Sequence, residues 1–138
     1  MALPNGAGGY QLGDGNLNEL TIGYGAAPQT ATSTATLTVA QITGEILVAN
    51  PSTTPATYTL PTAAAIDAVV TSAKPGSTFT LNIVNIGTTS GTSGTVTLAV
   101  GTGITDGGNA LVAVGVTSSA QFTFRKTGDA AWSVYKTA

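Results

Sequence analysis

The feature that most restricts this chain is a two-residue alternation of small polar and apolar side chains that recurs in short runs. In Thr34-Ala35-Thr36-Leu37-Thr38-Val39, Leu37 and Val39 share one face and the threonines the other. Val96, Leu98 and Val100 repeat the pattern, as do Phe122 and Phe124. A period of two belongs to half-buried strands, because successive side chains leave opposite faces of a sheet. The polar partner is mostly Thr, present 26 times. Thr is stiff at χ1 and fits a pleated surface, so it keeps an exposed strand face wet without charge.

The expected strands are Thr34–Val39, Gln41–Asn50 (with Ile42, Ile46 and Val48 on one side), Thr57–Leu60, Ser77–Ile86, Thr95–Val100, Ala110–Val114, Ala120–Lys126 and Ala131–Lys136. In Ser77–Ile86 the buried set runs Phe79, Leu81, Ile83 and then switches to Val84 and Ile86, which predicts a bulge or a strand covered on both faces. Gly87 to Gly94, Gly101-Thr102-Gly103, Asp106-Gly107-Gly108-Asn109 and Thr127-Gly128-Asp129 carry turn chemistry. The last two strands form a hairpin with Phe122, Phe124, Trp132 and Val134 facing inward. One helix is expected from Thr62 to Ala73, where Ile66, Val69, Val70 and Ala73 fall at i, i+3, i+4 and i+7 between Pro61-Thr62 and Lys74-Pro75-Gly76. No fixed period repeats, which sets solenoids and propellers aside. The fold class is therefore all-β: a jelly-roll-like sandwich over 33–138 with one short helix.

Residues 1–32 differ. They are rich in Gly, Asn and Pro, have no long apolar run, and cannot bury enough of themselves to fold alone. They read as an extended N-terminal arm, able to reach on the order of 100 Å at full extension. Its anchors would be Tyr10, Leu12, Leu17, Leu20, Ile22 and Tyr24, since ordering a segment costs roughly 1–2 kcal/mol per residue and only extensive contact offsets that. Tyr brings large area at low entropy cost, so Tyr10, Tyr24 and Tyr58 are interface candidates.

Chemistry is sparsely supplied. The chain of 138 residues has no Cys, no His and 4 basic and 6 acidic side chains, for a net charge of −2. The usual tools of nucleophilic, acid–base and transition-metal catalysis are mostly missing, and the only adjacent basic pair, Arg125-Lys126, makes no counterion-displacing stripe. No nucleic-acid partner is expected. Nor is a membrane, because no apolar run approaches roughly 20 residues and the N-terminus lacks a signal peptide's pattern. Gly6-Ala7-Gly8-Gly9-Tyr10-Gln11 starts like a dinucleotide fingerprint, but Gln11 replaces the last glycine and no strand or helix flanks it. Asp14-Gly15-Asn16-Leu17-Asn18-Glu19 starts like a calcium loop, but Glu19 takes the turn glycine's place and Gly25 the bidentate glutamate's. Neither cofactor nor metal is expected. The carboxylates Asp14, Glu19, Glu45, Asp67, Asp106 and Asp129 fall mostly in turns or on an exposed helix face, with no spacing that links an acid to a base, so no enzyme is expected. Trp132 shares a face with Val134 and reads as core, whereas Tyr135 lies opposite.

Most of 33–138 also carries a likeness. Tyr58-Thr59-Leu60-Pro61-Thr62-Ala63-Ala64-Ala65-Ile66, then Gly76-Ser77-Thr78-Phe79-Thr80-Leu81-Asn82-Ile83-Val84-Asn85, Thr97-Leu98-Ala99, Gly101-Thr102-Gly103-Ile104-Thr105, and the closing Phe122-Thr123-Phe124-Arg125 with Ala131-Trp132-Ser133-Val134-Tyr135 resemble small β-rich structural proteins of tailed bacteriophage particles. The resemblance implies a capsid decoration (cement) protein: a homotrimer, made in the host cytoplasm, on the outer surface of the virion, bridging neighbouring major capsid proteins. The arm and the absence of shaft repeats favour this over the alternative the likeness leaves open, a head- or tail-fibre tip that binds a receptor or glycan.

Overall fold

A computed structural model describes residues 24–88 and 94–138. Its elements are β1 (Gln29–Ala31), β2 (Ala35–Thr36), α1 (Val39–Thr43), β3 (Ile46–Ala49), β4 (Ala56–Thr59), α2 (Ala63–Val69), β5 (Thr78–Asn85), β6 (Val96–Ala99), β7 (Ile104–Gly108), β8 (Ser118–Gly128) and β9 (Ala131–Lys136). The molecule is β-rich, as the alternation predicts. The described residues form two short helices where one is expected.

The strands make a six-stranded sheet in the order β1-β3-β5-β8-β9-β7 and a three-stranded sheet in the order β2-β4-β6. Up to β6 the chain visits the two sheets in strict turn. Each visit lays a new strand parallel to the one before: β1, β3 and β5 stack in one sheet and β2, β4 and β6 in the other. Parallel neighbours need a long crossover, and here the crossover is the opposite sheet, followed by α1 or α2 on the first two circuits. The result is a solenoid-like winding of unequal coils, which a search for a fixed period misses. Among the named strands of the described residues, the antiparallel pairings are β5–β8 and β8–β9. Jelly-roll connectivity requires antiparallel neighbours throughout, so the expected strand order is replaced by this coiled one.

Local chemistry explains several departures. Thr38-Val39-Ala40-Gln41 is a capping box: Thr38 Oγ1 accepts from the Gln41 amide at 3.2 Å, and Gln41 Oε1 accepts from the Thr38 amide at 2.8 Å. That reciprocal pair turns Val39–Thr43 into α1, and Ile42 is buried from a helix rather than a strand. For α2, Thr62 is the N-cap as predicted, accepting from the Ala65 amide at 3.2 Å, but the helix ends at Val69, leaving Val69 exposed and only Ala63 and Ile66 fully buried. The expected strand at Ala110–Val114 is an irregular loop with a single bridge from Val114 to Val96. The strand lies earlier, at β7, through residues that carry turn chemistry. There Gly107 drops out of register with β9 as a bulge, and the Tyr135 ring covers it so closely that a Cβ would stand 2.3 Å from Cε1.

Both sheets contribute to one core. Leu47, Leu81, Ile83, Phe122, Phe124, Trp132 and Val134 enter it from the large sheet, and Tyr58, Val96 and Leu98 from the small one. The inward set of β5 keeps its period through Leu81, Ile83 and Asn85, and Ile86 is exposed, so the expected switch to Val84 and Ile86 does not occur. Phe79 stacks on Phe124 with centroids 4.7 Å apart and meets Trp132 edge-on at 5.4 Å. The body also reaches back into the expected arm, since Gln29–Ala31 pairs with Leu47–Ala49.

Candidate interaction surface

The sequence-derived anchors divide. Tyr10, Leu12, Leu17, Leu20 and Ile22 lie outside the described residues, as do the two rejected loops at 6–11 and 14–19. Tyr24 is described and fully exposed. Tyr58, an interface candidate from sequence, is instead core: it is wholly buried, burial pushes its phenol pKa up, and its hydroxyl donates to the Ala31 carbonyl at 2.9 Å. The reason is its register on the inward face of β4, where it ties the three-stranded sheet to β1.

Two polar residues are buried that the sequence reading does not place inside. Parity from Ala120, Phe122 and Phe124 aims Lys126 inward, and Lys126 is buried. Its ammonium pairs with Asp67 of α2 and stands 5.6 Å from the centre of the Trp132 ring. Asp67, expected to be solvated on a helix face, also accepts from Trp132 Nε1 at 2.8 Å and from the Ala130 amide at 2.8 Å. The hydrogen bond from Lys126, then those from Trp132 and the Ala130 amide, hold its carboxyl well below the usual carboxylate range, at about 2. A carboxylate so committed is a clamp between α2 and the β8–β9 hairpin, with no proton to give near neutral pH. Asn85, parity-matched with Leu81 and Ile83, donates to the carbonyls of Gly94 (2.9 Å) and Val114 (3.1 Å) and accepts from the Gly87 amide (2.9 Å). It holds two loops to the core's end.

Asp106 and Asp129 stand at different levels along β9. Asp106 lies at the level of Val134, and Asp129 precedes the strand's start. Asp106 accepts from the amides of Gly108 and Ala110, both at 3.0 Å. Among the described residues no group of three or more His, Cys, Asp or Glu could hold a metal ion, and no helix is long and apolar enough to cross a membrane.

What remains is surface. The outward face of the large sheet presents Thr30, Val48, Val84 and Ser119 in one cross-strand row and Thr80, Thr123 and Tyr135 in another. Asn82 and Gln121 lie between these rows, joined at 3.2 Å. Among the outward-facing side chains of β1, β3, β5, β8 and β9 in these registers, Arg125 is the one that brings a charge. Such a face suits contact with another protein better than binding of an ion or a charged metabolite, because charged groups are depleted from interface cores. Comparison with known proteins places no relative beside it: no family model, no curated protein and no solved structure matches the chain.

Proposed function

We propose that this chain is a structural, non-catalytic virion protein that decorates and stabilises a phage capsid from its outer surface, as a homotrimer bridging neighbouring major capsid proteins. The observation that carries this reading is the nearly uncharged Thr-, Val- and Ser-rich outward face of the six-stranded sheet. Its support beyond that is the resemblance of 33–138 to small virion proteins and the Gly- and Asn-rich N-terminal segment, which extends the area available for contact. A body whose buried Lys126 is paired with Asp67 suits a structural clamp rather than a device that turns over substrate.

The test has two steps. Light scattering across a concentration series is expected to give about three times the 13.5 kDa chain mass. Purified chain is then expected to cosediment with expanded capsids that lack it and to raise their rupture temperature. A trimer that ignores capsids but is retained on a glycan array replaces this reading with the fibre-tip one; a monomer that binds neither overturns both.

A further inference from the structure

Asp106 and Gly107 lie side by side on β7, an edge strand of the six-stranded sheet, and both are exposed. The main-chain nitrogen that follows an aspartate can attack that aspartate's own side chain. The attack is least hindered when the following residue is glycine, which has no Cβ in the way. Gly107 is also the bulge residue: pairing with β9 passes from Asp106 opposite Val134 directly to Gly108 opposite Tyr135. The carboxylate is folded over the peptide that follows it, since Asp106 Oδ1 accepts from the Gly108 and Ala110 amides, both at 3.0 Å. The Tyr135 ring lies against Gly107 so closely that a Cβ there would collide with Cε1, Cζ and Cδ1.

We propose that Asp106-Gly107 is a modification site that isomerises to isoaspartate, and that the Tyr135 ring is its guard. In the first step Gly107 N forms a bond to Asp106 Cγ. The Gly107 amide proton, the carboxylic proton and one carboxyl oxygen leave as water, and a five-membered imide results. Water then opens the imide at the main-chain carbonyl, so the chain runs on through Cγ and the mass is unchanged overall. For the nitrogen to reach Cγ, the peptide must turn about the Asp106 Cα–C bond, which displaces Gly107 Cα. The ring limits that displacement, while the two amides hold the carboxyl group. The product carries an extra backbone methylene before Gly107, which shifts Gly108 away from Tyr135 and withdraws the oxygen that holds the amide of buried Ala110. Slow, local opening of an edge strand would therefore leave a permanent mark.

Full-length wild type, Tyr135→Phe, Tyr135→Val and Tyr135→Leu are incubated folded at neutral pH and physiological temperature, beside wild type unfolded in urea. Isoaspartate at position 106 is read by peptide mapping with endoproteinase Asp-N, which cuts before aspartate and not before isoaspartate, and thermal melts verify that each variant is folded. The unfolded chain is expected to convert at Asp106, and folded wild type and Y135F, which keeps the ring, to convert many-fold more slowly. Y135V and Y135L lack the ring and are expected to convert several-fold faster than wild type at unchanged mass; the leucine variant keeps the comparison open if valine prevents folding. An unfolded chain that does not convert there overturns the site. Folded wild type converting as fast as the unfolded chain, or folded ringless variants no faster than wild type, overturns the guard.

Discussion

Asp67 and Lys126 meet across the seam between α2 and the β8–β9 hairpin, the ammonium buried and the carboxylate part-exposed. Asp67 simultaneously holds the Trp132 indole N–H and the amide of Ala130, a non-glycine residue at φ 46°. One carboxylate therefore neutralises a buried cation, orients a core aromatic and fixes a turn residue in the left-handed region, where an L side chain is disfavoured.

This arrangement makes stability depend on acid. The folded-state pKa of Asp67 is about 2, below the roughly 3.9 of an unfolded aspartate. Its contribution is therefore complete above about pH 4 and is lost as pH falls from about 4 toward 2. The difference in Tm between wild type and Asp67→Asn is expected to be largest near neutrality and to shrink over that window in a calorimetric pH series. A constant difference would show that the carboxylate's charge is not what matters.

The two partners of the pair are not equivalent. Asp67→Ala strands the Lys126 ammonium in the core, whereas Lys126→Met removes the buried charge and leaves Asp67 its other donors. Thermal melts are expected to rank D67A well below K126M, with K126M close to wild type.

Asn85→Leu fits the apolar period of β5 but removes the partners of the Gly94 and Val114 carbonyls and the Gly87 amide. Leaving buried polar groups unpaired is expected to cost about 2–4 kcal/mol, read from urea unfolding. A neutral result would mean that water replaces the amide.

Tyr58→Phe deletes only the hydroxyl that donates to Ala31. A loss of about 1 kcal/mol is expected, with faster hydrogen exchange at the Asn50 amide, which donates to the same carbonyl. Unchanged exchange there would show that β1 is held by its ladder alone.

Gly103 adopts φ +83°, and a Cβ on it would lie 2.5 Å from the Ala130 carbonyl oxygen. Gly103→Ala is expected to destabilise by at least about 1 kcal/mol in the same denaturation assay, because both the backbone angle and the space oppose it.

The sequence by itself determined what is local. The inward positions Phe122, Phe124, Trp132 and Val134 follow from period two, and the start of α2 follows from Pro61-Thr62 and the apolar spacing behind it. The buried Lys126 was legible in the parity of β8, although its polarity argued the other way, whereas the expected switch to Val84 and Ile86 put Asn85 outside. Tertiary structure alone decided which strand lies beside which: that Leu47 pairs with Ile83 and Tyr58 with Leu98, in parallel, is a choice among similar Thr- and Val-rich strands. It likewise decided that Gly107-Gly108 belongs to a strand, since the Tyr135 ring that covers the bulge comes from β9. The physical reason is range. Propensity, capping and alternation act within a few residues, whereas a partner strand, a packed ring or a buried counter-ion acts only after distant segments have been brought together.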